Sequence, residues 1–553
     1  MTKSMKRILS VLLAVVLVAS LLTACAPAAT SSNTPASSNT PASSQTPASS
    51  AAASSEEEKE FSYPMKDADQ ISIFATAVGY GAISGGYYSK PADVPFLQYL
   101  EEATGIAVDW QFPTVGADTK AALNTLLASD DYPDIILDGV NETYYEDGAI
   151  IALDDIIEQY MPNYKAYFND PYYSEVPKAT TAKSDGKIIS FLSARESLWS
   201  NTYVGPYVNK TWLDEQKLEV PTTIEDWDNM LRVFKDKYNA QFTSRLGYMG
   251  NWENTGFSGA FGAGGSFIAR YEIVDGKYTL NAVEEGWRDY IAYMAKWYKD
   301  GLIDPDLLTM SDNNAVLAKV DAKETGAIIL NLGSAAKLYE DGWVATPFPT
   351  DANGRNTFVH NTSNNKTAYG GVITKDCAEE RIEEAARWID YAFSEEGKFV
   401  WNLGKKDVCW KYDANGEPKL TDFMLKDESG INAMLQKHAG TSGSFWGIQL
   451  RTMLEQKNSE AGVIAVDTWM MEGKTEHYDR NAPAGFSMSA ETTESVKNEV
   501  SAIATLVSEE SLKFLTGNRP IEEWDKFVKQ CYDMGLQKVL DAYQAEYDAF
   551  MGK

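Results

Sequence analysis

The side chains that could carry catalysis are either few or unspecific in this chain of 553 residues. Its three histidines, His360, His438 and His477, give little support for a hydrolytic triad or a zinc site. A glycoside hydrolase needs two carboxylates across the scissile bond. The 79 acidic residues guarantee chance pairs in any fold, so they neither indicate nor exclude such an enzyme.

One cysteine lies apart from the others, behind an export signal. Cys25 comes directly after Leu22-Thr23-Ala24, and a basic start precedes the uncharged run of residues 8–22. That run is too short for a stable transmembrane helix, which needs about 20 apolar residues. Basic, apolar and small residues in this order are typical of an export signal. The other cysteines have no metal-like spacing, and we expect buried or unpaired thiols at Cys377, Cys409 and Cys531.

The sequence around Cys25 resembles the lipobox of bacterial lipoproteins. The resemblance implies that residues 1–24 are a signal peptide, that Cys25 carries diacylglycerol, and that the protein is lipid-anchored on the extracytoplasmic face of the cell membrane. An ordinary secretory signal with a coincidental cysteine is the alternative. Residues 25–60 then form a tether, because residues 26–55 carry no charge, repeat Asn-Thr-Pro-Ala-Ser-Ser and bury almost nothing. As a flexible coil this tether spans roughly 30 Å.

Composition bounds what the folded part can do. The formal net charge of −30 argues against nucleic acid as a partner, since nucleic-acid binding rewards clustered Lys and Arg. The chain is 44% hydrophobic and 12% aromatic, so it can bury large cores. Its length suits two or more domains, and no further segment is typical of a transmembrane helix.

Apolar periodicity predicts alternating strands and helices in the folded part. The predicted strands are residues 70–78, 106–112, 135–137, 188–192 and 325–330. The predicted helices are residues 95–104, 120–129, a helix capped by Thr223, residues 383–395 and two helices after Pro520. This alternation indicates an α/β fold with a mostly parallel sheet covered by helices.

Short stretches along the chain resemble the family 1 extracellular solute-binding proteins of carbohydrate ABC importers, especially their long lipoprotein branch. The ordered set spans nearly all of the mature chain. It comprises Tyr132-Pro133-Asp134-Ile135-Ile136, Glu146-Asp147-Gly148-Ala149-Ile150, Asp185-Gly186-Lys187-Ile188, Asn209-Lys210-Thr211-Trp212-Leu213, Pro221-Thr222-Thr223, Gly370-Gly371-Val372-Ile373-Thr374-Lys375-Asp376-Cys377, Ala386-Arg387-Trp388-Ile389-Asp390-Tyr391, Ser394-Glu395-Glu396-Gly397 and Glu523-Trp524-Asp525-Lys526-Phe527-Val528.

The resemblance implies a two-lobed periplasmic-binding-protein-like fold (type II, long-chain branch) with a multi-crossing hinge. By analogy the N-lobe comprises residues 61–192 and 356–397, and the C-lobe comprises residues 193–355 and 398–553. The implied protein is a monomer and not an enzyme. It captures an oligosaccharide between the lobes and delivers it to ABC transporter permease subunits. A peptide as the ligand is the alternative within the same fold.

Candidate ligand contacts follow from what sugars require. Sugars present apolar C–H faces, which aromatic rings cover, and hydroxyls, which carboxylates, amides and arginine bind. Asn141 and Glu142 follow a strand at a carboxyl end, where α/β sheets place ligands, although a solvated turn explains them equally well. By analogy the first crossing between the lobes lies near residues 191–199, and the maltose-binding branch of the family has an acidic residue near this hinge, where Glu196 lies. The other candidates are Arg195, Trp199, Asn251, Trp252, Asn331 and Trp446, the last of which could instead plug the core.

Long members of this branch often carry a calcium loop, which this sequence lacks at the usual place. Residues 234–242, which follow the Thr223-capped helix, lack the spaced carboxylates and the glycine that such a loop needs. Two Asp-Ala-Asn-Gly segments, residues 351–354 and 413–416, are typical of hairpin turns instead. We therefore predict no calcium there and no other metal or cofactor, and tight stoichiometric calcium binding in calorimetry would contradict this.

Overall fold

The computed structural model describes most of the chain after the tether. The described residues are 61–137, 142–173, 176–182, 185–197, 199, 202–245, 256–264, 267–310, 312–356, 367–440, 446–470, 482, 486 and 488–552. Cys25 and the tether lie outside this set. Among the described residues, no helix has the length and apolar character needed to cross a bilayer.

Strands and helices alternate through both halves of the described chain. The strands are β1 Ile71–Ala75, β2 Val108–Gln111, β3 Ile135–Leu137, β4 Phe191–Arg195, β5 Val204–Asn209, β6 Gln241–Thr243, β7 Tyr271–Val274, β8 Lys277–Leu280, β9 Thr325–Asn331, β10 Trp343–Ala345, β11 Thr367–Ile373, β12 Trp410–Tyr412, β13 Pro418–Leu420 and β14 Ile448–Gln449. The α-helices are α1 Tyr80–Ser84, α2 Pro95–Thr104, α3 Thr119–Leu127, α4 Glu142–Glu146, α5 Asp154–Tyr160, α6 Pro162–Phe168, α7 Val176–Thr180, α8 Lys210–Gln216, α9 Ile224–Tyr238, α10 Gly256–Gly259, α11 Glu285–Lys299, α12 Asn313–Asp321, α13 Ala336–Glu340, α14 Ile382–Tyr391, α15 Gly397–Leu403, α16 Asp422–Leu425, α17 Gly430–His438, α18 Arg451–Lys457, α19 Glu460–Met470, α20 Ala490–Leu515, α21 Trp524–Asp533 and α22 Leu536–Met551.

We call the expected N-lobe lobe 1 and the expected C-lobe lobe 2. Lobe 1 is built on a six-stranded sheet in the order β14-β4-β11-β3-β1-β2. Strands β1, β2, β3, β4 and β14 run in one direction, and β11 runs antiparallel between β4 and β3. All three residues of the central strand β3 are buried, as expected where helices cover both faces of a sheet. Helix α2 packs beside this sheet and ends at Gly105, whose φ of +74° suits a residue without a Cβ.

Lobe 2 is built on a four-stranded sheet in the order β10-β5-β9-β6. Strand β5 runs antiparallel to both neighbours, while β6 is parallel to β9. Helix α9 begins with a complete capping box, in which Thr223 and Asp226 bond each other's backbone N–H groups. Its residues Trp227, Leu231 and Phe234 are buried in the lobe core, as their spacing predicts.

The last three helices belong to the core of lobe 2. Side chains of α20, α21 and α22 share one buried apolar cluster with α11 and the sheet. Trp287 of α11 stacks on Phe527 of α21 with ring centroids 6.0 Å apart, and Trp524 Nε1 donates to the Ala282 carbonyl at 3.2 Å. The C-terminal helices therefore complete this lobe.

The two-lobed α/β fold agrees with the expectation, and most predicted elements lie where periodicity put them. Helix α2 matches its predicted bounds, and β3 matches its strand. Strand β4 begins three residues after the predicted start at residue 188, because Ile188 instead forms a bridge with Thr181 and accepts from Leu153 N.

The third crossing between the lobes lies later in the chain than the boundary expected after residue 397. Strand β14 pairs with β4 of lobe 1. Trp401 packs edge-to-face on Phe96 of α2 at 5.1 Å, and His438 Nδ1 lies 3.2 Å from the Tyr99 hydroxyl. Residues 397–440 and 446–449 thus stay with lobe 1, and helices α18 and α19 make the crossing. The family comparison alone put that boundary too early, since the intervening segment carries its own small core.

The segment after α9 leaves little space for a calcium loop. Only Asn239 and Ala240 separate the end of α9 from β6, whereas an EF-hand loop takes about twelve residues. The two Asp-Ala-Asn-Gly segments form matching turns. In each, the aspartate Oδ1 accepts from two backbone N–H groups of its own turn, at 2.8 and 2.9 Å for Asp351 and at 2.8 and 3.0 Å for Asp413. The second turn joins β12 to β13 as a hairpin.

Candidate functional site

The carboxyl ends of both central sheets meet at the crossings between the lobes. In lobe 1, β4 ends at Arg195 and leads directly into the first crossing, and β1 and β3 end at the same edge. In lobe 2, β5 begins at Val204, opposite Asn331 at the end of β9. Strands β6 and β10 end at that edge as well, because they run antiparallel to β5 in the sheet. Open α/β sheets bind ligands at this edge.

Glu196 lies at the end of β4 and is exposed. Its Oε2 accepts from the backbone N–H of Arg451 at 2.8 Å, so the carboxylate caps the first turn of α18. Its own backbone donates to the Gln449 carbonyl at 3.0 Å and accepts from the Tyr172 hydroxyl at 2.7 Å. Glu196 therefore joins the first crossing to the third.

Trp199 lies in the first crossing and is only 3% exposed. Its indole Nε1 donates to Asp467 Oδ1 at 2.8 Å, and the Arg451 guanidinium lies over its ring at 5.2 Å. Arg451 also donates from Nε to Glu455 at 2.6 Å and lies 3.5 Å from Asp467. We call Trp199, Arg451 and Asp467 the crossing cluster.

Asn331 occupies the facing edge in lobe 2. It is half-buried, and its side chain accepts from Ser334 N at 2.9 Å, which caps a short 3₁₀ turn. Next to it the Tyr203 carbonyl accepts from Leu332 N at 2.7 Å, and the Tyr203 side chain is exposed. The exposed ring of Tyr172 lies on the opposite side of the crossing, bonded to Glu196. Two aromatic rings and an amide thus flank the first crossing.

The other predicted contacts lie apart from this group or outside the described residues. Glu142 begins α4 beyond the end of β3 and is half-buried. Trp446 is 1% exposed, and its ring packs on Phe393 and lies close to Gly371 of β11. This is the core position that its alternative interpretation expected. The described residues do not include Asn141, Asn251 and Trp252.

The structure adds four side chains that sequence reasoning missed, namely Tyr172, Tyr203, Arg451 and Asp467. A cation in the first turn of a helix opposes the helix dipole, so the position of Arg451 at the start of α18 was a usable signal of nearby carboxylates. Lys457 ends the same helix, is half-buried, and has its pKa lowered because burial disfavours the ammonium ion. Among the described residues, no carboxylate lies within ion-pair distance of it.

Groups of three or more His, Cys, Asp or Glu side chains arranged to hold a metal ion are absent from the described residues. The site presents aromatic rings, an amide, an arginine and carboxylates, which can orient hydroxyl groups and cover apolar faces.

Comparison with known proteins decides the family. A model described as bacterial extracellular solute-binding protein matches residues 85–399. The chain belongs to this family. A second model, for a domain of unknown function, matches residues 484–552, which are the C-terminal helices of lobe 2.

Relatives of this solute-binding protein cover nearly its whole folded part. The fructooligosaccharide ABC transporter substrate-binding protein FusA of Streptococcus pneumoniae serotype 4 (strain ATCC BAA-334 / TIGR4) is 23% identical over 502 residues, which are 83% of this chain and 88% of FusA. The structure of FusA in complex with kestose has a TM-score of 0.62 at 20% identity and covers 87% of this chain and 99% of that chain.

A further solved structure has the same architecture. The HMO-binding, ABC-transporter-associated solute-binding protein from Bifidobacterium longum infantis ATCC 15697 has a TM-score of 0.69 at 19% identity, covering 88% of this chain and 99% of that chain. These superpositions establish the two-lobed solute-binding fold.

Proposed function

We propose that this protein captures an oligosaccharide between its lobes and delivers it to the permease subunits of an ABC transporter. The observation that carries the proposal is the convergence of both carboxyl edges on the crossings, with Tyr172, Tyr203, Arg195, Glu196 and Asn331 around them. Sugars need this mixture of aromatic faces and fixed polar groups. Relatives that bind fructooligosaccharides or HMO have the same fold and support this ligand class.

The proposed direct contacts are those with a polar group at the edge. We propose that Arg195, Glu196 and Asn331 meet hydroxyl groups, and we retain Glu142, which lies apart from them at the start of α4, as a proposed contact. Asn141 follows β3 along the chain, and Asn251 and Trp252 follow β6, so we retain these three residues as proposed contacts. Trp446 and Trp199 are buried, and either would need a rearrangement of the lobes to reach a ligand.

The membrane arrangement is the second part of the proposal. The first described residues of the body pack on lobe 1: the Arg387 guanidinium lies 4.9 Å from the Phe61 ring and donates to the Ser62 carbonyl at 2.8 Å. A tether of residues 25–60, anchored through lipid on Cys25, would hold lobe 1 near the permease and leave the body free to turn. We expect a monomer in this state.

A thermal-shift panel tests the ligand class. We would compare fructooligosaccharides such as kestose, other neutral oligosaccharides of similar length, monosaccharides and short peptides. A ligand that binds only the folded state raises the unfolding temperature, and we expect this from at least one oligosaccharide. Stabilisation by glucose-sized sugars alone or by peptides would contradict the proposal. Chromatography of the incubated oligosaccharides tests the hydrolase alternative, since shortening of the sugar chain would contradict the binding-protein interpretation.

The anchor is tested separately by Cys25→Ser. We expect the unchanged protein to partition with membranes and the variant to be released. Release of both, or membrane retention of both, would contradict lipidation at Cys25.

A further inference from the structure

The third crossing consists of two short helices that belong to different lobes. In α18, Met453 is buried in the small core that extends lobe 1. In α19, Ala465 and Trp469 are buried in the core of lobe 2. Trp469 lies across β5, where a Cβ on Gly205 would come within 2.2 Å of its ring, and its Nε1 donates to the Pro206 carbonyl at 3.3 Å. The bend at residues 458–459 therefore separates the part held by lobe 1 from the part held by lobe 2.

The crossing cluster spans this bend. Arg451 is in the first turn of α18 and Asp467 is in α19, and their side chains lie 3.5 Å apart. Both side chains are partly exposed, at 40% and 53%, so this ion pair alone is weak. The stronger bond is the one from the Trp199 indole N–H to Asp467, because its donor is buried and its acceptor is charged.

Trp199 ties this bend to the first crossing. Its ring lies under the Arg451 guanidinium, its N–H bonds Asp467, and Thr202, three residues on, contacts the Met470 sulfur at 3.0 Å. The two crossings are thus bonded to each other through side chains that come from both lobes. A change of the angle between α18 and α19 must alter these contacts.

We propose that Trp199, Arg451 and Asp467 are positioning residues, which form a clamp that sets the angle between the lobes. The clamp rests on the proposed function, since the angle governs how the lobes close on a ligand. When the open and closed arrangements of the lobes differ by only a few kcal/mol, the loss of one charge-assisted hydrogen bond changes their populations. A ligand changes these populations only if it binds one arrangement more tightly than the other. Trp199 thereby acts on the ligand through geometry rather than through stacking.

The test measures lobe geometry without any ligand. Fluorescent labels at Glu158→Cys on lobe 1 and Lys526→Cys on lobe 2 report the distance between the lobes in single molecules. Both positions are exposed, whereas Cys377, Cys409 and Cys531 are buried. The variants are Asp467→Asn, which keeps an oxygen acceptor but loses the charge, and Trp199→Phe, which keeps a ring but loses the N–H. Arg451→Gln serves if either variant fails to fold.

We expect each clamp variant to shift or broaden the distance distribution relative to the unchanged chain. The matched control Asp422→Asn removes an exposed carboxylate from an i,i+4 pair elsewhere in lobe 1 and leaves the distribution unchanged. Once a ligand is known, each variant should change the affinity of every sugar in the panel by the same factor, about tenfold at most.

An unchanged distribution in all clamp variants overturns the proposal. So does a change of affinity that differs from sugar to sugar, because that pattern identifies a direct ligand contact. The distance measurement needs no sugar, so it tests the clamp independently of the proposed function. If no oligosaccharide binds, the proposed function is contradicted, and the distance distributions still decide whether the clamp exists.

Discussion

The two lobes differ in how far along the chain the bonds of their buried carboxylates reach. In lobe 1, these bonds join distant segments: Asp134 bonds Arg381, 247 residues away, and Asp390 bonds Asn163, 227 residues away. In lobe 2 a buried ion pair is local, since Glu510 and Arg519 are 9 residues apart. There the distant segments meet through rings, such as Trp287 on Phe527. The stability of lobe 1 should therefore depend on pH, and the stability of lobe 2 should depend on its buried apolar area.

The connectivity of the lobes explains this difference. Lobe 1 contains strands that precede the strands of lobe 2 in the chain and strands that follow them. Asp134 joins these two parts of the chain, because it accepts from Ser72 N of β1 at 2.7 Å and from Arg381, just before α14, at 2.7 Å. A carboxylate with fixed acceptor directions specifies such a junction more sharply than apolar contact does. Lobe 2 instead closes on a contiguous C-terminal helical cover.

Deleting residues 484–552 should have the largest effect and should fall on lobe 2. The deletion removes many fully buried apolar side chains from the lobe 2 core. Each stabilises by about 1.5–3 kcal/mol, so together they exceed the typical total of about 5–15 kcal/mol. We expect calorimetry to show loss of one cooperative transition with the other retained. Deletion of residues 26–55 of the tether is the control and should leave both transitions in place. Two intact transitions after the C-terminal deletion would contradict the account.

Asp134→Ala should have the next largest effect and should fall on lobe 1. The side chain is 2% exposed, and its removal leaves Arg381 and the Ser72 N–H without their acceptor. Because the Arg381 side chain is 30% exposed and water can reach it, we expect the cost of leaving these donors without an acceptor to be about 1–3 kcal/mol. Denaturant unfolding followed by a lobe 1 probe should show a lower midpoint. Asp422→Ala, which breaks only an exposed pair in the same lobe, serves as the control and should leave that midpoint unchanged. Equal midpoints for the two variants would count against the carboxylate junction.

The smallest expected effect is a pH dependence of stability that has opposite signs for Asp134 and Asp390, the two buried carboxylates of lobe 1. Burial tends to raise the pKa of Asp134, but hydrogen bonds from Arg381 and Ser72 outweigh it and hold the pKa below its usual value near 3.8. Its stabilisation is present above that value and is lost as the pH falls. Burial raises the pKa of Asp390 despite bonds from Tyr164, Asn163 and Tyr63. The ionised carboxylate therefore destabilises the folded state, and protonation removes this destabilisation as the pH falls.

The expected outcome is a pair of opposite slopes. Between pH 7 and pH 3.5, the destabilisation caused by Asp134→Asn should shrink and that caused by Asp390→Asn should grow. Urea midpoints of the two variants and the unchanged chain measure both. Slopes of the same sign would refute the assignment.

The sequence predicted the elements well because local signals determine them. The capping box at Thr223 and Asp226 and the glycine after α2 mark helix ends that no distant contact changes. The third crossing was placed too early because the chain stays with lobe 1 up to the pairing of β14 with β4, and a strand of two residues carries almost no periodic signal.

The site was predictable only in part. Glu196 stays a predicted ligand contact, and its role as a cap for α18 depends on a partner 255 residues away. Trp199 was chosen for its ring, whereas the structure commits its N–H to Asp467. A contact between two crossings is invisible in a single sequence, since neither partner lies near the other along the chain.

Small-angle scattering combined with titration calorimetry tests the central claim most directly. The protein would be measured alone and with each oligosaccharide that raises its unfolding temperature. The account predicts one bound oligosaccharide per chain, a smaller radius of gyration in the bound state as the lobes close, and no shortening of the sugar. Tight binding with an unchanged radius, or no oligosaccharide binding at all, would contradict it.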